Sequence, residues 1–323
     1  MIQTYAEWDE QELLMLSIPH SNSDWKPYLN DILTSYEELI SAVSSYQKLL
    51  LIAPQKSDFD RFSKFKNVEF LEVLTNDTWI RDYGAIDVKC GLKTISYDFK
   101  FNAWGGKFES SLDNDVNKKL FSHLKGELVS IPLILEGGSI EFNGDGVLLT
   151  TTNCLLNDNR NSLSKNELEI RLKELFGLKK IIWLEHGFIK GDDTDSHIDT
   201  LARFISKDTI AYASCTDKND EHYLPLKEME NELKKTGFNL VPLELPKPVM
   251  FEGRRLGATY CNFIFVNGAL IVPTYGDKKS DELALSTLKQ VLNLDIIGVD
   301  STVFIRQNGS LHCSSQNRFK GDR

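Results

Sequence analysis

One order of elements comes round five times along the 323 residues: helix, strand, loop, hairpin. Few architectures tolerate that rhythm. The first helix is expected over 25–46, where Leu29, Ile32, Leu33, Tyr36, Leu39, Ile40 and Val43 recur at helical spacing. The second is expected over 116–124. The third follows the capping pair Ser164 and Glu167, with Leu168, Leu172, Leu175 and Phe176 on one face. The fourth is opened by Pro225 and closed by Gly237, and the fifth covers 281–292 behind a Ser280 cap. Short apolar runs at 14–20, 49–53, 68–74, 127–135, 180–184, 239–245 and 295–299 read as strands. Hairpin turns are expected at Cys90-Gly91, Asn143 to Gly146, Lys207-Asp208, Asn267-Gly268 and Asn308-Gly309. The modules share an order but not their residues. Five of them in one chain suggest small sheets set in a ring, with helices outside. No linker or low-complexity stretch divides the chain, so residues 1–323 are expected to form a single domain.

Charge narrows the partners. A formal net charge of -10 disfavours nucleic acid and anionic membrane, both of which want a basic surface. A hydrophobic fraction of 41% and a charged fraction of 26% are those of a soluble globular protein. The first ten residues lack the basic and apolar regions of a signal peptide, and no apolar run is long enough to span a bilayer. The five cysteines are scattered, with no Cys-x-x-Cys spacing. That points to a reducing cytoplasm and away from a disulfide frame or a zinc site.

A ring also makes a chemical prediction, because equivalent loops converge on its axis. The stretch from Gly191 to Phe204 runs from a loop crowded with Asp192, Asp193 and Asp195 into an apolar segment. Read as the start of a strand, it sets His197 and Asp199 on one face and Ile198 on the other. Asp82 and Glu136 fall in corresponding loops, and Cys313 ends the expected last hairpin. Three carboxylates, one imidazole and one thiol thus share a centre. A guanidinium, charged at every ordinary pH, suits such a set. Two carboxylates can grip its planar fork, a thiolate can attack its carbon, and a histidine can protonate the departing nitrogen and then activate water. A third carboxylate can orient that histidine.

Six stretches, in order, then carry a resemblance: Asn-Asp-Thr-Trp-Ile-Arg-Asp-Tyr-Gly at 76–84, Phe-Asn-Ala-Trp-Gly-Gly at 101–106, Glu-Gly-Gly-Ser-Ile-Glu at 136–141, Leu-Leu-Asn-Asp-Asn-Arg-Asn at 155–161, Asp-Asp-Thr-Asp-Ser-His-Ile-Asp at 192–199 and His-Cys-Ser-Ser-Gln at 312–316. Together they resemble the agmatine deiminase and bacterial peptidylarginine deiminase family of guanidino-group-modifying enzymes. The resemblance implies a five-fold pseudosymmetric α/β propeller with the active site on its central axis. It implies Cys313 as nucleophile, His197 as general acid and base, and Glu136 as the carboxylate paired with it. Asp82 and Asp199 become the grip on the guanidinium, and Trp79 the aromatic beside the substrate. The implied reaction is hydrolysis of agmatine to N-carbamoylputrescine and ammonia through an amidino-cysteine, feeding putrescine formation. It needs neither metal nor organic cofactor, and the family expectation for assembly is a homodimer.

The same residues admit a deiminase of peptidyl-arginine, an amidinotransferase or an inactive guanidine-binding protein. Ser196 stands where many relatives have glycine, and 107–115 lacks the aromatic and proline-rich segment of many agmatine deiminases. Asp192, Asp193 and Asp195 read as loop caps that attract a cation, in preference to a calcium loop. Trp104 and Arg160 read as packing and ion-pair residues, Cys90, Cys154, Cys215 and Cys261 as structural, and His312 has no assigned role.

Overall fold

In the computed structural model, which describes residues 1–321, the repeat is explicit. Five mixed α/β units share one topology: an antiparallel pair of strands, a helix, then a strand parallel to the second of the pair. In the first, Ile86–Cys90 pairs antiparallel with Lys93–Lys100, helix Ser111–His123 crosses, and Glu127–Ile134 returns parallel. The second uses Ile140–Phe142, Val147–Thr151, helix Lys165–Phe176 and Lys180–Leu184. The third uses Ala202–Ser206, Thr209–Ser214, helix Tyr223–Lys234 and Asn239–Glu244. The fourth uses Ile264–Val266, Ala269–Thr274, helix Lys278–Val291 and Asp295–Asp300. Among the described residues no helix is long and apolar enough to cross a membrane.

The fifth unit departs from expectation. Asn308-Gly309 does not turn a hairpin. Asn308, at φ 69°, ends the 3-10 turn Phe304–Gln307 instead. Strand Ser315–Phe319 pairs antiparallel with Gln11–Ser17 from the other end of the chain, and helix Leu29–Ser44 then leads to parallel strands Leu49–Ala53 and Val68–Glu72. The two ends of the described chain complete one sheet. A local turn signal cannot reveal a pairing across some 300 residues, because its cost and reward lie in tertiary packing.

Local physics explains the rest. Leu49–Ala53 is buried throughout, as expected of a strand covered on both faces. Helix Leu29–Ser44 buries Ile32, Tyr36, Leu39, Ile40 and Val43, the stripe read from sequence. Ser164 and Glu167 form the expected capping box. Four helix starts differ from expectation: the first helix begins at Leu29, behind the 3-10 turn Lys26–Tyr28, and the fourth at Tyr223, two residues before Pro225. Ser111–His123 begins five residues early because the Asn76 side-chain carbonyl, from a distant loop, accepts the Leu112 N–H at 2.8 Å. Lys278–Val291 begins behind Asp277, to which Ser280 donates at 2.8 Å. The hairpins at 91, 144 and 268 hold glycine at positive φ, where other residues are strained.

Candidate active site

Each unit sends a loop to the same place. The loop lies between the last strand of one unit and the first of the next, and all five contribute a polar residue. Asp82 sits in the one-turn helix Ile80–Tyr83. Glu136 precedes the 3-10 turn Gly137–Ser139. His197 and Asp199 flank Ile198 in the 3-10 turn Ile198–Thr200, so the expected strand is a turn and the strand begins only at Ala202. Asn262 precedes Ile264–Val266, and Cys313 precedes Ser315–Phe319. Backbone bonds tie these loops together: Arg81 N–H to Cys313 O at 3.2 Å, and His312 N–H to Asn262 O at 3.2 Å.

The side chains meet closely. Asp82 accepts the Trp104 indole N–H at 2.9 Å on one oxygen and the Gly138 N–H at 2.9 Å on the other. The second oxygen lies 3.6 Å from His197 Nδ1. Asp199 accepts His312 Nδ1 at 2.8 Å and lies 3.5 Å from Cys313 Sγ, while its other oxygen is buried without a partner. Asn262 Nδ2 is 3.2 Å from the same sulfur. Glu136 accepts Arg160 Nε at 2.7 Å, leaving Oε2 buried and unpartnered. His197 makes no hydrogen bond of ordinary geometry, and Cys154 is the neighbour that interacts with its ring as a hydrogen-bond partner. Buried side-chain polar atoms without an ordinary hydrogen bond thus gather here: Glu136 Oε2, Asp199 Oδ1 and the His197 ring nitrogens.

At Gly138 the backbone runs directly against the site's side chains. A Cβ there would lie 2.7 Å from His197 Nδ1, 2.8 Å from Asp82 Oδ1 and 3.1 Å from Asp199 Oδ2. Gly138→Ala is therefore expected to cut kcat/KM by roughly 10- to 100-fold through displacement of all three, the scale of an ångström-size misplacement. Steady-state kinetics beside a thermal melt check this; unchanged kinetics would refute the tight fit.

Electrostatics divides the carboxylates. Burial raises Asp82 against the pull of His197, and burial raises Glu136 against His197 and Arg160. Burial also works on Asp199, but the hydrogen bond and charge of His312 outweigh it and hold the group below its usual range. For His197, burial disfavours the imidazolium, yet Asp82, Cys154 and Glu136 together draw its pKa well above the usual value. Burial, then Asp199 and Asp82, push the Cys313 thiol well up.

Trp79, Asp82, Asp199 and Cys313 line one cavity of about 480 Å³, counting the space open at its mouth. Glu136 and His197 stand behind that lining, beside Asp82. Asp24, Asp77, Asp192 and Asp193 line the remainder, with Trp104 and Phe108. Burial pushes Asp77 up to about 7, aided by Asp24 and Asp193. Asp193 is likewise raised by burial and Asp192, and Asn308 donates to it at 2.9 Å. Asp192 caps its own loop, accepting the Ser196 N–H at 2.8 Å, and so holds Asp195 and Ser196 at φ 68° and 67°. Asp195 pairs with Arg160 at 2.7 Å.

The sequence reading missed Asn262, His312 and the direct part of Trp104. Asn262 lies in the loop of the fourth unit, the one loop that had yielded no candidate; its place in the repeat was the available signal. His312 bridges Asp199 and Glu7, at 2.8 and 3.0 Å. Glu7 also pairs with the buried Arg203, whose Nε reaches Glu141 at 2.7 Å. No local motif announces that buried chain of charges.

The chain is similar in sequence and fold to known proteins. A structure of C. jejuni agmatine deiminase, a cysteine-to-serine variant with substrate bound, is 62% identical and superposes with a TM-score of 0.98 over 100% of this chain and 98% of that one. Agmatine deiminase of Medicago truncatula is 29% identical across 97% of this chain and 95% of its own. DDAH from Pseudomonas aeruginosa, complexed with citrulline, is 15% identical with a TM-score of 0.54, a likeness of fold alone. The sequence model of one family, the Porphyromonas-type peptidyl-arginine deiminases, matches residues 3–318, and the chain belongs to that family.

Proposed function

We propose that the chain is an agmatine deiminase, converting agmatine and water to N-carbamoylputrescine and ammonia. One observation carries this reading: a single cavity joins a thiol and two carboxylates, Asp82 and Asp199, to a second acidic group, Asp24, Asp77 and Asp193. The first set suits a guanidinium and the second a separate ammonium. Agmatine carries both cations, whereas the side chain of peptidyl-arginine carries only the first. The substrate-bound C. jejuni relative supports the choice. The product would feed a putrescine-forming hydrolysis.

In this mechanism the guanidinium lies between Asp82 and Asp199. Cys313, a thiol at rest, releases its proton to solvent as the guanidinium binds, and the thiolate attacks the central carbon. The amine leaves as ammonia with a proton from His197, giving an amidino-cysteine. Water then adds to that carbon as His197 takes one of its protons, the C–S bond breaks, and the other proton passes to solvent as the urea carbonyl forms and the thiolate is restored. Asn262 Nδ2, at 3.2 Å, stabilises the anionic sulfur at both stages. Glu136 and Asp82 keep His197 charged for the first step. We read the five like sheets as a five-fold pseudosymmetric propeller with this site on its axis. A single domain is supported by the sheet that the two chain ends complete.

The deciding experiment is ammonia release from agmatine, free arginine and an arginine-containing peptide. Agmatine is expected to be strongly preferred, and Asp193→Asn to raise its KM about tenfold or more with little change in kcat, as loss of a ground-state contact does. Preferential release from the peptide would move the function to protein citrullination.

The raised thiol gives a second check. Inactivation of the free protein by neutral iodoacetamide should grow only at pH above the ordinary thiol range, because burial and two anions hold Cys313 protonated. Asp82→Asn removes one anion and should move the midpoint to lower pH. A midpoint at or below the ordinary range in the unsubstituted protein would overturn the protonated resting state.

A further inference from the structure

Behind the lining of the cavity, Glu136, Cys154 and His197 present a carboxylate oxygen, a thiol sulfur and an imidazole nitrogen that all lie within 4.8 Å of one another. All three residues are buried. From this geometry we infer a binding site for a thiophilic divalent cation of the zinc or cadmium class, distinct from Cys313.

Three observations converge on it. The donor set is one that zinc favours: sulfur at about 2.3 Å, nitrogen at about 2.0–2.1 Å and carboxylate oxygen at about 2.0–2.2 Å. Tetrahedral angles at those lengths place the donors roughly 3.3–3.7 Å apart, so the cluster needs to close by an ångström or so at most. Next, Glu136 Oε2 is buried without a hydrogen-bond partner, and beside its 3.6 Å ion pair with Asp82 the His197 ring interacts with Cys154, itself one of the three donors, so coordination breaks no hydrogen bond to a group outside the set. Finally, the charges balance. Arg160 holds Glu136 Oε1 at 2.7 Å and stands 4.0 Å from Cys154 Sγ, where its charge opposes the burial that raises both donors. Its own charge is offset by Asp195 at 2.7 Å. Glu136 and the Cys154 thiolate then supply the two negative charges a divalent ion needs. Binding releases the Cys154 proton, and any proton on His197, to solvent; no oxidant or reductant is required. Three protein ligands leave a fourth position for water.

Occupancy ties up His197 and Glu136, so under the proposed function the cation is a reversible inhibitor. The test does not depend on that reading, because it is spectroscopic. Cadmium is titrated into the full chain carrying Cys90→Ser, Cys215→Ser and Cys313→Ser, which removes the exposed, half-exposed and catalytic thiols. The expected result is a saturable thiolate-to-cadmium absorption band at one equivalent, which disappears on adding Cys154→Ser. Adding Glu136→Gln instead, in case Cys154→Ser disturbs folding, keeps the thiol and should weaken cadmium binding at least about tenfold, the lower end of what perturbing a metal site costs. Absence of a saturable band, a band that survives Cys154→Ser, or a cadmium affinity unmoved by Glu136→Gln would each overturn the site.

Discussion

Replacing Cys313 by serine is expected to lower turnover of agmatine by at least ~10⁴-fold, the range seen when the nucleophile of a catalytic group acting as a unit is removed. The structure explains why serine cannot substitute. The sulfur sits 3.5 Å from the Asp199 carboxylate, and burial with the charges of Asp199 and Asp82 already pushes the thiol well up. A serine hydroxyl starts several units less acidic than a thiol, and the same two anions oppose its ionisation. The incoming guanidinium offsets those anions for a thiol, but it cannot offset so large an intrinsic gap. Binding should survive, since the proposed mechanism places the grip on the guanidinium in Asp82 and Asp199 and the change removes little volume. The variant should therefore bind agmatine within a few-fold of the unsubstituted protein, by calorimetry, while releasing no ammonia. Acid-quenched mass spectra should show an amidino adduct on Cys313 in the unsubstituted protein and none in the variant. Ammonia release within tenfold of the unsubstituted rate would sink the covalent mechanism.

Much of this site was legible because its residues sit at corresponding points of a repeated order. Asp82, Glu136, His197 and Asp199 occupy loops that sequence alone could place between the same two elements, whereas Cys313 was read at the end of a last hairpin that does not form and lies in the corresponding loop instead. Trp79 was named as well, and it lines the cavity. What escaped was long-range. Asn262 touches Cys313 from 51 residues away, His312 touches Glu7 from 305 away, and Gln11–Ser17 completes a sheet with Ser315–Phe319. Such pairings obey no local periodicity. The expected strand at His197 failed for a related reason. Alternation along three residues fits a 3-10 turn as well as a strand, and Thr200, which donates its hydroxyl to His197 O at 2.9 Å, favours the turn. Both conformations bring His197 and Asp199 to the centre, so the two residues were placed together through a wrong local structure. Cys154 shows the opposite case. Its sequence context reads as inert packing, and only the fold sets it beside Glu136 and His197.

The second large effect is expected at Asp82, where Asp82→Asn should lower kcat/KM for agmatine by roughly 10²–10³-fold or more. Two costs combine. The first is charge: breaking a buried pair by removing one partner costs about 3–5 kcal/mol, because the guanidinium would be desolvated with only Asp199 to meet it. The second is geometry. Both Asp82 oxygens accept N–H donors, Trp104 Nε1 and the Gly138 amide, each at 2.9 Å. An asparagine has one acceptor and one NH₂ group, so in either orientation a donor faces a donor. That leaves a buried N–H unsatisfied, at about 1–3 kcal/mol, and pushes the side chain or the Gly138 loop aside. His197 would feel the change as well. Asp82 is the largest of the groups raising its pKa, so the variant's imidazolium should lose its proton at lower pH and the alkaline limb of kcat/KM should move down. The combination separates this role from simple destabilisation: KM rises, the alkaline limb shifts, and the thermal melt falls only modestly. Asp82→Glu keeps the charge but not the distances to Trp104 and Gly138, so it should restore the pH limb better than the rate. A KM for agmatine unchanged in Asp82→Asn would remove Asp82 from the guanidinium grip and leave Asp199 to hold the cation alone.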